Sequence, residues 1–122
     1  MAHKILIIDD DDFLLDMYSL KFKEGGFDVS LCKNGAEAVS QAQTFKPDII
    51  LVDIVMPNID GFQVIKLLKE KIGGSAKIIA FSNLDQKDGI DKALYCGADD
   101  FIKKADFTPS EILKKIKKLL NK

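Results

Sequence analysis

Ile5-Leu6-Ile7-Ile8 runs directly into Asp9-Asp10-Asp11-Asp12. Four consecutive aliphatic residues fit a strand covered on both faces, since a strand with one wet face would alternate apolar and polar. The acids that follow cannot stay in the interior, so the chain must surface at Asp9. The same pattern recurs downstream. Ile49–Val52 ends at Asp53, and Ile78–Phe81 ends at Ser82-Asn83. Two weaker runs, Val29–Cys32 and Phe101–Ile102, fit the same scheme, the second leading into Lys103-Lys104.

Between these runs the apolar residues take helical spacing. Leu14, Met17, Tyr18 and Leu20 mark a first helix, and Ala38, Val39 and Ala42 a second. Ile65, Leu68 and Ile72 mark a third, and Ile90, Ala93 and Leu94 a fourth. Ile112, Leu113, Ile116, Leu119 and Leu120 mark a fifth. Thr108-Pro109-Ser110-Glu111 combines a capping box with proline in the first turn. Asn34-Gly35-Ala36-Glu37 reads as a similar start, and Gly25-Gly26 and Gly73-Gly74 as stops. Five β–α units in succession predict a doubly wound α/β fold, a five-stranded parallel sheet with helices on both faces. The flavodoxin-like order 2-1-3-4-5 is the common solution at this size. It makes strands 1 and 3 neighbours and opens a crevice at their C-terminal ends.

The chain has 122 residues, one domain's worth, with 47% hydrophobic and 30% charged residues. That balance is globular, not disordered. The net charge of −1 conceals an asymmetry. Residues 1–62 carry 5 Lys against 11 acids, and residues 103–122 carry 7 Lys against 2 acids. Every basic residue apart from the single His3 is Lys, so phosphate would be met by ammonium or backbone N–H groups, never by a guanidinium fork. The overall balance argues against direct nucleic-acid binding. Cys32 and Cys96 do not make a disulfide framework, and one histidine without a Cys-x-x-Cys argues against zinc. The apolar stretch after Lys4 is too short for a signal peptide, and no run approaches a membrane span. A cytoplasmic protein with reduced thiols is expected.

The strand ends carry the chemistry. If strands 1 and 3 are neighbours, Asp9 or Asp10 meets Asp53 within a few ångströms. Like charges that close raise at least one pKa unless a cation is present. An oxygen-rich cluster without histidine suits a hard ion such as Mg²⁺. The plainer reading of four aspartates at a strand-to-helix turn is N-capping and helix-dipole chemistry, which Asp11 and Asp12 are expected to supply. A lone Asp53 ending a strand is ordinarily a loop residue. Two acidic strand ends at one crevice make the case that neither makes alone. Ser82 and the lysines after strand 5 add a hydroxyl and an ammonium at the same rim. Acid pair, metal, hydroxyl and cation together are what phosphoryl transfer to a carboxylate requires.

At this point the sequence resembles the receiver domain of bacterial two-component response regulators, the CheY-like family, over its whole length. The resemblance is carried by Ile5-Leu6-Ile7-Ile8-Asp9-Asp10-Asp11 and by Pro47-Asp48-Ile49-Ile50-Leu51-Val52-Asp53-Ile54-Val55-Met56-Pro57-Asn58-Ile59-Asp60-Gly61. Ile79-Ala80-Phe81-Ser82-Asn83 and Gly97-Ala98-Asp99-Asp100-Phe101-Ile102-Lys103-Lys104 complete it. The resemblance implies that Asp53 is the phosphoacceptor and that Asp10, Asp53 and the Val55 carbonyl ligate Mg²⁺, with Asp9 acting mostly through a water on the ion. It implies that Ser82 and Lys104 meet phosphoryl oxygens. The family's spacing from Gly97 lands on Lys104, and strand alternation sends Lys103 to another side. The implied donor is a histidine kinase or phosphotransfer protein. The receiver would catalyse its own phosphorylation without being a turnover enzyme.

Ser82 and Phe101 would form the switch. The face of the fourth helix, fifth strand and fifth helix would meet a downstream protein, and would support a monomer or a weak dimer. The lysines of the fifth helix (Lys114, Lys115, Lys117, Lys118) read first as a solvated face. Residues 1–122 would be one receiver with no output domain and no membrane contact. Three departures from the family pattern stand out. Ala105 replaces the usual proline after the lysine, and Phe101 replaces the common tyrosine. Val55 and Leu84 are both apolar, two residues beyond Asp53 and Ser82, which predicts slow autodephosphorylation. Other classes fit less well. A phosphorylation-independent interaction module would not need every site position filled. A flavin or nucleotide binder would need a phosphate loop after strand 1, where four acids stand instead. A small phosphatase with an Asp nucleophile would release phosphate over many turnovers.

Overall fold

The computed structural model describes residues 3–56, 60–82 and 87–121. Five parallel strands lie in the order β2-β1-β3-β4-β5. They are β1 (Lys4–Ile8), β2 (Asp28–Cys32), β3 (Ile49–Val52), β4 (Lys77–Ser82) and β5 (Asp100–Lys103). The helices are α1 (Asp12–Glu24), α2 (Ala38–Phe45), α3 (Gly61–Ile72), α4 (Lys87–Cys96) and α5 (Pro109–Leu120). The predicted doubly wound sheet and its order are both present.

Strand alternation divides the core. Leu6, Ile8, Ile50, Val52, Ile78 and Ala80 face α2, α3 and α4, packing on Ala38, Ala42, Val64, Ile65, Leu68 and Ala93. Ile5, Ile7, Ile49, Leu51, Ile79 and Phe81 face α1 and α5, packing on Leu15, Tyr18, Phe22, Ile112 and Ile116. Every residue of β3 is fully buried, which is why its sequence shows no alternation.

Side chains cap three helices, two of them as the sequence predicts. Asp11 caps α1 by accepting from the Phe13 and Leu14 N–H groups at 3.0 and 3.2 Å. Asp60 caps α3 through the Phe62 N–H at 2.9 Å. At α5 the Thr108 hydroxyl accepts from the Glu111 N–H at 3.2 Å, and the Glu111 carboxylate accepts from the Thr108 N–H at 2.9 Å. Thr108→Ala should therefore lower the unfolding free energy by about 1 kcal/mol. An unchanged midpoint in a urea titration would contradict that.

Two details differ from the sequence expectation. Asn34 caps a 3-10 turn, Gly35–Glu37, and α2 begins only at Ala38. On α1 the inward stripe is Leu15, Tyr18, Ser19 and Phe22, so Leu20 is 62% exposed. Both cysteines are free thiols. Among the described residues no helix is long and apolar enough to cross a membrane.

Candidate functional site

The sheet register builds the site. Ile8 on β1 pairs with Val52 on β3, and Val52 pairs with Ala80 on β4. β1 and β3 therefore end level, while β4 runs two residues further to Ser82, and the next residue on each of the first two, Asp9 and Asp53, emerges side by side. Two ladder bonds continue past the strands and fix the positions. The Asp9 N–H donates to the Cys32 carbonyl at 3.0 Å, and the Asp53 N–H to the Ile8 carbonyl at 2.9 Å. Asp9, Asp10 and Asp53 each offer a carboxylate oxygen, all within 4.8 Å of one another. The sequence left open whether Asp9 or Asp10 meets Asp53; both do. Asp9 and Asp53 are buried, whereas Asp10 is exposed.

A cation reaches the pair from β5. The Lys104 Nζ donates to Asp9 Oδ2 at 2.5 Å and lies 3.7 Å from Asp53 Oδ2. Ser82 and Lys103 are paired in register, so Lys104 lies one residue beyond, in a 3-10 turn spanning Lys104–Asp106. Among the described residues no peptide bond is cis, the one after Lys104 included. Asp9, Asp10, Asp11, Leu14, Asp53, Val55, Ser82 and Lys104 line an open cleft of about 380 Å³. Ser82 is almost fully buried and contributes to its wall. Phe101 is not in the cleft. It is half-buried and packs on the α2–α3–α4 side, opposite Ala80 in the sheet.

Asp53 is pushed up to about 6, and burial is the largest cause. The Lys104 ammonium and the Val55 N–H, 3.2 Å from Asp53 Oδ1, pull it down, while Asp9 pushes it up. Mutual repulsion, the cause expected from the sequence, is thus present but secondary to desolvation. The raised value costs stability. The folded state favours the protonated acid, so the cost is absent below the ordinary carboxylate range, grows as pH rises and is complete above about 6. In EDTA, Asp53→Asn should gain stability over wild type as pH rises from about 4 to about 6, by at most about 3 kcal/mol. Parallel urea titrations across that window would show the gap opening; a constant gap would refute it.

The donor set fits a hard cation. It offers carboxylate oxygens and no nitrogen or sulfur, and it holds more negative charge than one ammonium balances. The loop from Asp53 to α3 is held by backbone contacts. Val55 bridges Asp60, and the Gly61 N–H donates to the Ile54 carbonyl at 3.1 Å. Val55 is 61% exposed at the cleft. Pro57, Asn58 and Ile59 of this motif, and Asn83 and Leu84 after β4, lie outside the described residues.

A profile described as "Response regulator receiver domain" matches residues 5–117. The chain belongs to that family. This receiver is 38% identical to the chemotaxis protein CheY of Bacillus subtilis, covering 99% of this chain and all of that one. CheY of Thermotoga maritima is 37% identical, with 98% of each chain covered. The alkaline phosphatase synthesis transcriptional regulatory protein PhoP of Bacillus subtilis is 31% identical, and the match spans 50% of it. A CheY-like receiver structure from Methanospirillum hungatei superposes with a TM-score of 0.90 at 25% identity, covering 99% of this chain and 95% of that one. Membership places the receiver in two-component phosphorelay signalling, with a histidine kinase partner and a downstream target.

Two parts of the site carry no signal in the sequence. The direct contact between Lys104 and Asp9 joins residues 95 apart in sequence. In sequence Phe81 is only a strand residue, yet its ring lies beside the Lys104 ammonium.

Proposed function

We propose that this receiver takes a phosphoryl group onto Asp53 from a phosphohistidine on a histidine kinase or phosphotransfer protein. The observation that carries the reading is the meeting of Asp9, Asp10 and Asp53 within 4.8 Å, with the Lys104 ammonium against two of them. A carboxylate oxygen of Asp53 forms the new bond to phosphorus. The bond from phosphorus to the donor nitrogen breaks, and its electron pair leaves with the imidazole. Lys104 meets one phosphoryl oxygen and the Ser82 hydroxyl donates to another, so charge that develops in transfer finds fixed partners. Asp10, Asp53 and the Val55 carbonyl would hold Mg²⁺, with Asp9 acting through water. When bound, that ion neutralises phosphoryl charge.

The phosphoryl group adds roughly −1.5 to −2 charge. Ser82 would close toward it, and Phe101 would turn inward behind Ser82. That movement changes the α4–β5–α5 face offered to a downstream protein. On α5 the exposed Lys114, Lys117 and Lys118 belong to that face.

Acetyl phosphate with Mg²⁺, read by intact mass, tests the proposal. Uptake of one phosphoryl group that EDTA abolishes is expected. No uptake in either condition would favour an interaction module that works without phosphorylation. Loss of the group should be slow, because Val55 presents an apolar side chain at the cleft and cannot orient an attacking water. Val55→Asn combined with Leu84→Gln should speed the loss several-fold. An unchanged half-life of the phosphoprotein would rule the explanation out.

A further inference from the structure

The Lys104 ammonium has a third neighbour besides its two carboxylates. Its Nζ lies 5.1 Å from the centroid of the Phe81 ring, inside the range where a ring face attracts a cation. Phe81 is 1% exposed and the Lys104 side chain 9%. Little water screens the contact, so it is stronger than its surface counterpart.

The ring is itself fixed. Alternation along β4 sends Phe81 to the α1–α5 side, away from Ala80 and Ser82. There it meets Tyr18 of α1 at 78°, with centroids 5.2 Å apart, an arrangement that aromatic quadrupoles favour. Tyr18 is buried in the same core. Phe81 cannot swing aside without disturbing a packed helix.

The carboxylates are less constant partners. Asp9 and Asp53 hold the ammonium, and both belong to the oxygen cluster that fits a cation. A bound ion competes for those oxygens, and phosphorylation consumes one of them. The ring face is untouched by either event. We propose that Phe81 is a positioning residue for Lys104, its Tyr18-braced ring seating the ammonium at the cleft while the carboxylates are engaged elsewhere. The inference rests on Lys104 meeting a phosphoryl oxygen. Phe81 contacts no reacting atom and acts only through the lysine.

Mono-, di- and trifluorinated phenylalanine at position 81 keep the ring's shape and progressively weaken the negative potential of its face. Phosphoryl uptake from acetyl phosphate at saturating Mg²⁺ should slow with each fluorine, reaching about threefold to tenfold at three. The urea midpoint should stay constant across the series. A flat rate across the series would overturn the proposal. A second measurement does not depend on phosphorylation. In the wild type, the ε-methylene protons of Lys104 should show an upfield ring-current shift by NMR. The shift should persist when Mg²⁺ is added and disappear in Phe81→Leu. Absence of the shift, or its loss on adding Mg²⁺, would overturn the seat. If the wild type takes up no phosphoryl group, the phosphoacceptor reading fails, and the ring-current shift still decides where Lys104 sits.

Discussion

Asp53→Asn should take up no phosphoryl group from acetyl phosphate and Mg²⁺ under conditions that label the wild type. The reason lies in how the carboxylates are engaged. Both oxygens of Asp9 have close partners, Oδ1 accepting from the Asp11 N–H at 3.1 Å and Oδ2 from Lys104 at 2.5 Å. Asp10 lines the same cleft but is exposed, and the Lys104 ammonium pairs with Asp9 and Asp53. Asp53 alone combines a buried position with an oxygen, Oδ2, whose Lys104 contact is as long as 3.7 Å. An amide in its place keeps the shape and loses the nucleophile. It also removes a buried negative charge that burial disfavours and Asp9 repels, so the variant should fold at least as well as the wild type. Failure to label would then be chemical and not structural. Intact mass decides the matter, with peptide mapping of the wild type to locate the group. Labelling of the variant at the wild-type level would sink the assignment of Asp53.

How far the sequence carried is clearest at particular residues. β1, β3 and β4 were readable because each is buried on both faces, so nothing interrupts the apolar run. The ends of β1 and β3 were readable because an acid closes each run, and order 2-1-3-4-5 then brings Asp9 beside Asp53, where both are buried against Lys104 rather than surfacing. Helix faces were less sharp. Helical spacing defines an arc, and Leu20 shares that arc with half-buried Met17 while lying outside the buried stripe of Leu15, Tyr18, Ser19 and Phe22. The end of α2 gave no glycine signal, because Lys46 itself takes the left-handed conformation at φ 54°. Least legible were the contacts between distant strands. That Lys104 touches Asp9 and approaches Phe81 depends on how β5 ends beside β4, and no local pattern encodes it.

Gly61→Ala should damage both stability and the site, although Gly61 bears no functional group. A Cβ there would stand 2.4 Å from the Ile54 Cα, 2.5 Å from the Asp53 carbonyl oxygen and 2.7 Å from that of Ile54. All three are backbone atoms, so no side chain can rotate to make room. The glycine is required by space. It opens α3 directly after the Asp60 cap, and its N–H ties α3 to the Ile54 carbonyl. A methyl group would force α3 and the Asp53–Ile54 backbone apart. Overpacking of this kind costs about 2–3 kcal/mol, which a urea titration would register. The second effect is chemical. Asp53 is placed by the very peptide that must move, and a shift near 1 Å in a reacting group can cost about 100-fold in rate. Labelling by acetyl phosphate, followed at a temperature where the variant is folded, should therefore slow by far more than its unfolded fraction explains. Thr108→Ala, which weakens α5 without touching this loop, supplies the comparison: it should lose stability and keep its labelling rate. If Gly61→Ala labelled at the wild-type rate once its folded fraction was taken into account, the close approach of α3 to Asp53 would be a matter of packing alone.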